Sequence, residues 1–81
     1  MDTRIAVISI IVENLDNSEK VNALLHENAQ YLVGRMGIPY RKRKLSIISV
    51  IIDAPLNTIN TLTGKLGMIE GVNVKTVYTK E

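Results

Sequence analysis

The chain contains no cysteine, tryptophan or phenylalanine, and only one histidine and two prolines in 81 residues. Without cysteine there is no disulfide, no thiolate metal ligand and no thiol nucleophile. Three tyrosines are the only aromatics, so the stacked aromatic platform on which many RNA-binding sheets hold bases is missing. No apolar run reaches the roughly 18 residues that span a bilayer. The opening "MDTRIAVISIIVEN" has an apolar stretch, but Glu13, Asn14 and Asp16 follow it without a small-residue cleavage site, which argues against a signal peptide. These absences imply a cytoplasmic protein with no membrane contact. The length fits one domain over residues 1–81. A core of that size is modest, and oligomerisation is a common way to supplement it.

What is present is strongly patterned. "RIAVISIIV" (Arg4–Val12) and "LSIISVIID" (Leu45–Asp53) are near-continuous apolar runs rich in β-branched residues and predict strands buried on both faces. "QYLVGRMGIPY" (Gln30–Tyr40) and "VNVKTVYT" (Val72–Thr79) are more mixed. Gly34, Gly37 and Pro39 mark the former as an edge or bulged strand, since proline cannot donate to a central ladder. Between them, Val21, Leu24, Leu25 and Asn28 recur at helical spacing, with Asp16 as N-cap and Glu19 completing a capping box. A second helix carries Leu56, Ile59, Leu62, Thr63 and Leu66 on one stripe. Pro55 suits its first turn and Gly67 the left-handed position past its end.

The order β-α-β-β-α-β, joined by short connections and right-handed crossovers, predicts an α+β fold: the ferredoxin-like split βαβ sandwich. Its antiparallel sheet has order 4-1-3-2, with two helices on one face. The most apolar strands, first and third, then lie at the centre. Between Ile5 and Val12 and between Ile47 and Ile52 both alternating sets are apolar, broken only by Ser9 and Ser49. A sheet face left to solvent should be polar. The second face therefore implies a cover, and a second copy of the chain is the simplest: a dimer or tetramer built through sheet faces or edges.

Chemistry-bearing residues are sparse. His26 has no histidine or cysteine partner for a metal, and Ser9, Ser18, Ser46 and Ser49 have no histidine placed to activate them. Gly64, Gly67 and Gly71 fall at helix ends and turns and not in a phosphate-loop motif. No catalytic residue, metal site or cofactor is expected. The segment "ENLDNSE" (Glu13–Glu19) enters the first helix, where free backbone N–H groups favour an anion unless Asp16 already occupies them. Asn14, Asp16, Asn17 and Ser18 are the candidate residues for a small-molecule effector.

Charge is concentrated in one place. Of ten basic residues, five (Arg35, Arg41, Lys42, Arg43 and Lys44) fall within the eleven-residue "GRMGIPYRKRK", which contains no acid. The remainder has five bases against eight acids, a balance of −3. These five residues are the candidates for an anion or nucleic-acid contact. A solvated hairpin tip is the simpler reading of "RKRK".

The strings "YLVGRMGIPYR", "IISVIIDAP" and "LTGKLGMIEGVNVKTVY" resemble the iron-only hydrogenase system regulators, small bacterial proteins with an ACT-like, ferredoxin-like fold. The resemblance covers nearly the whole chain. It implies an oligomeric regulatory protein of anaerobic bacteria, and it brings no defined ligand or catalytic residue. The loop "NLDNSE" lacks the glycine that amino-acid-binding ACT domains place there. The chain also lacks the several histidines and the cysteine of nickel-responsive regulators. Three functions follow as expectations: a non-catalytic regulatory module that senses a small effector or docks on a partner, a nucleic-acid-binding transcriptional regulator using the basic tip, or a purely structural oligomer.

Overall fold

A computed structural model describes residues 2–80. The elements are β1 (Arg4–Val12), α1 (Ser18–Glu27), β2 (Leu32–Tyr40), β3 (Leu45–Ala54), α2 (Leu56–Gly67) and β4 (Val72–Tyr78), with 3₁₀ turns at Leu15–Asn17, Ala29–Tyr31 and Arg41–Arg43. The sheet order is β2-β3-β1-β4 and every neighbouring pair is antiparallel. This is the expected ferredoxin-like α+β sandwich, with the two apolar strands at the centre.

The core follows directly from the period of two along the central strands. Ala6, Ile8, Ile10 and Val12 of β1 and Ile48, Val50, Ile52 and Ala54 of β3 are buried. They meet Val21 and Leu25 of α1, Ile59, Leu62 and Leu66 of α2, and Val72 of β4 in one cluster. Among the described residues no polar side chain is buried, so this core rests on apolar packing alone.

Two helix ends differ from expectation. Asp16 does not cap α1, which begins only at Ser18. Instead the Asn14 side chain accepts from the Asp16 backbone N–H at 3.1 Å and caps a 3₁₀ turn ahead of the helix. Asparagine competes well for its own downstream backbone, and here that local bond displaces the capping box. Asn17, at the N-cap position of α1, makes no capping bond; its amide donates to the Glu70 carbonyl at 2.8 Å. At the end of α2, Gly67 is the last helical residue and Met68 continues in right-handed geometry. The left-handed residue is Gly71, at φ 78°. Its carbonyl accepts from the Glu13 N–H at 2.6 Å and the Asn14 N–H at 3.4 Å, tying the β1–α1 segment to the α2–β4 turn.

The interrupted second strand is an edge strand with a bulge. Leu32 pairs with Ile52 and Gly34 with Ile51, which leaves Val33 as the extra residue. The bulge re-aims the rest of the strand: Arg35, Gly37 and Pro39 lie opposite Val50, Ile48 and Ser46, on the side the helices cover.

Candidate functional site

Two surfaces stand out. The first is the sheet face away from the helices. At its centre Ser9 pairs with Ser49. Around that pair Val7 lies opposite Ile51 and Val77, and Ile11 and Ile38 both lie opposite Ile47. Met36 neighbours Ser49, and Ile5 closes one end opposite Asp53. Besides Tyr40 at its end, eight large apolar side chains of this face (Ile5, Val7, Ile11, Met36, Ile38, Ile47, Ile51 and Val77) keep 38–68% of their surface exposed. Polar residues gather towards β4, where Asn73 and Lys75 lie opposite Ile11 and Ser9. A contiguous apolar face with a polar border is the usual form of an interaction surface.

The second surface is a cleft of about 240 Å³ between α1 and the β2–β3 half of the sheet. Val12 and Ile48 supply its apolar part, Gly37 and Pro39 line it from β2, and Ser18, Asn22, Arg35 and Ser46 bring polar groups. The cleft arises from the sequence of β2, whose helix-side positions after Arg35 are Gly37 and Pro39. Neither sends a long side chain under α1. Arg35 Nη2 donates to Asn22 Oδ1 at 2.9 Å across the opening. A third hollow, between the helices, is lined by Asn28, Asn57, Thr58, Thr61 and Lys65 among others. There the Thr61 hydroxyl is already donating to the Asn57 carbonyl at 2.8 Å.

The structure divides both groups of residues singled out from the sequence. Of Asn14, Asp16, Asn17 and Ser18, Asn14 and Asn17 use their side chains to shape the loop, while Ser18 lines the cleft. Of the basic five, Arg41, Lys42, Arg43 and Lys44 form the exposed hairpin tip, a 3₁₀ turn closed by Lys44 in left-handed geometry at φ 56°. Arg35 lies apart from them, on the helix-covered side with Asn22 and Ser18. Asn22, Gly37 and Ser46, which also line the cleft, were not among the candidate residues read from the sequence. Their signal was the pair of small residues at alternate positions of an edge strand.

Neither surface holds a recognisable catalytic constellation. His26 is exposed on α1. Among the described residues no three or more His, Cys, Asp or Glu side chains come together as a metal site would require. Also among them, no helix is long and apolar enough to cross a membrane.

By architecture this is a ferredoxin-like α+β protein, and comparison with known proteins assigns it further. Residues 4–76 match the TM1266-like family, described as "Iron-only hydrogenase system regulator, putative", and the chain belongs to that family. It is similar to the uncharacterized protein TM1266 from Thermotoga maritima: 36% identical, covering 98% of this chain and 100% of that one, with a TM-score of 0.93. The fold alone is shared with the C-terminal domain of the MgtC protein from Mycobacterium tuberculosis, at 13% identity and TM-score 0.73 over 96% of this chain and 89% of that one. It is also shared with CPII, a nitrogen regulatory PII-like protein from Thiomonas intermedia K12 bound to ADP, AMP and bicarbonate, at 17% identity and TM-score 0.52 over 98% and 99%. No curated protein matches the chain.

Proposed function

We propose that the chain is a non-catalytic, oligomeric regulatory module of an iron-only hydrogenase system, acting by binding a small effector or by docking on a partner. The observation that carries this reading is the apolar sheet face, with eight of its large side chains exposed. Such a face is costly to leave in water and contributes to stability when a second copy covers it. Membership of the regulator family supports the regulatory role. CPII, built on the same fold, is a regulatory protein that holds nucleotides. The effector's place in this reading is the β1–α1 segment with Asn14, Asp16, Asn17 and Ser18.

Deletion of the gene tests the reading. Iron-only hydrogenase levels should change in the deletion strain and return with the wild-type gene, but not with an Ile51→Asp copy that spoils the apolar face. Unchanged hydrogenase levels after deletion would overturn it.

A second reading, a nucleic-acid-binding regulator, draws on the hairpin tip, where Arg41, Lys42, Arg43 and Lys44 are all exposed on one turn. An oligomer multiplies such a patch. It predicts DNA affinity that falls steeply with salt and weakens in Arg43→Ala. A gel shift at low salt that shows no complex rules it out.

A further inference from the structure

We infer that the cleft beneath α1 is a binding site for a small oxyanion, a carboxylate or a phosphate, with Arg35 as its charged contact. The inference rests on the effector-binding form of the function proposed above; it shifts the effector's place from the β1–α1 segment to the adjoining cleft, which shares Ser18 with that segment, and gives the effector a chemistry. Four observations carry it. The cleft is concave and, at about 240 Å³, slightly smaller than the usual range for drug-sized ligands. Its polar lining consists of a guanidinium, an amide and two hydroxyls, from Arg35, Asn22, Ser18 and Ser46, and no carboxylate is present among the described lining residues. The charge there is therefore positive, and every one of these groups can donate a hydrogen bond.

Arg35, although exposed, has one bond that directs its guanidinium to the cleft. Asn22 Oδ1 takes one N–H of the guanidinium at 2.9 Å. Arginine has five such donors in a rigid planar fork, so fixing one leaves others oriented for a two-pronged contact with a carboxylate or phosphate. Finally, the space is maintained by Gly37. A Cβ built there meets only Ile48 Cγ1, at 4.0 Å, and the residue is not in left-handed geometry. Nothing in the local backbone demands glycine at this position, so a side chain could be accommodated. Its absence keeps the cleft open.

The test is titration calorimetry at low ionic strength with two probes, inorganic phosphate and succinate, on wild type, Arg35→Gln, Gly37→Val and Arg43→Gln. Wild type should bind at least one probe, and the stronger of the two identifies the anion class. Arg35→Gln should weaken it about 10- to 100-fold, as expected for loss of a charged hydrogen bond. Gly37→Val should abolish binding by filling the cleft while the thermal melt is kept. Arg43→Gln, on the hairpin tip and outside the cleft lining, should weaken binding clearly less than Arg35→Gln, since an exposed charge without direct contact contributes little. Amide chemical shifts on titration should move most at Ser18, Asn22, Gly37 and Ser46 and less at Lys42 and Arg43. No binding of either probe to wild type at millimolar concentration overturns the site, as does equal affinity in wild type and Arg35→Gln. The sedimentation of the same samples reads the oligomer independently. An oligomer that binds neither probe refutes the cleft alone, whereas a monomer that binds through Arg35 refutes the oligomeric module and leaves the cleft standing.

Discussion

Replacing Gly71 with alanine should destabilise the protein by about 2–4 kcal/mol, and the structure says where that loss arises. Gly71 has φ 78°, a conformation that costs an L-residue with a Cβ roughly 1–2 kcal/mol. The added Cβ would lie 2.5 Å from Asn14 Cβ and 3.0 Å from Asn14 N, well inside the carbon contact distance of about 3.5–4.0 Å. These are a Cβ and a backbone atom, which cannot swing aside as the tip of a long side chain can. The β1–α1 segment must therefore move off, and the bonds from Glu13 and Asn14 N–H to the Gly71 carbonyl weaken, at about 0.5–1.5 kcal/mol each. For a domain of this size each kcal/mol lowers Tm by roughly 4–8 °C, so a fall of about 10–30 °C is expected. The assay is thermal and urea unfolding followed by circular dichroism at one fixed protein concentration, because association shifts apparent stability. Gly64→Ala is the internal control. Gly64 lies inside α2 with nothing within 4 Å of a built Cβ, and alanine there should stabilise by about 0.5–1 kcal/mol. Opposite signs for two Gly→Ala changes are the signature. A Gly71→Ala protein within about 0.5 kcal/mol of wild type, the ordinary range for a surface change, would refute the reasoning.

Other outcomes are expected from the same geometry. Ile51→Asp, on the apolar face at 41% exposure, should weaken self-association at least about 1000-fold, read by light scattering, while the melt of the dissociated chain shows a folded protein. Leu25→Ala removes a fully buried side chain and should cost about 2–5 kcal/mol in urea unfolding. Ile11→Ala, on the open face, should cost clearly less when measured on the monomeric chain. Tyr78→Phe deletes an exposed hydrogen bond to Asn60 Oδ1 at 2.8 Å, and its unfolding free energy should fall by no more than about 1 kcal/mol.

Much of the architecture was legible because the central strands leave little choice. Arg4–Val12 and the run from Leu45 are apolar on both faces, and that alone puts them mid-sheet. Gly34, Gly37 and Pro39 in turn mark the edge. The helix termini were less legible. Asp16 and Asn14 both have side chains able to cap, and only the tertiary tie between Gly71 and Asn14 decides that Asn14 shapes the turn and Ser18 starts the helix. Gly67 was expected to take the left-handed position past α2, but Gly71 takes it, where the close approach of Asn14 leaves no room for a Cβ. The cleft was hidden for another reason. Arg35 sits in sequence beside a basic run, and a one-residue bulge at Val33 sets which face it joins. Because the side-chain period of a strand is two, one extra residue moves every later strand side chain across the sheet; that puts Arg35 on the helix side, while Arg41–Lys44 lie beyond the strand in the hairpin turn.

The central claim is that the apolar sheet face is covered by a second copy of the chain. Sedimentation equilibrium of the wild-type protein over a wide concentration range tests it most directly. A species at a whole multiple, two or more, of the 9.0 kDa chain mass, persisting into the low micromolar range, is expected. A single 9.0 kDa species at every concentration up to about millimolar, where association would be worth no more than roughly 4 kcal/mol, contradicts it.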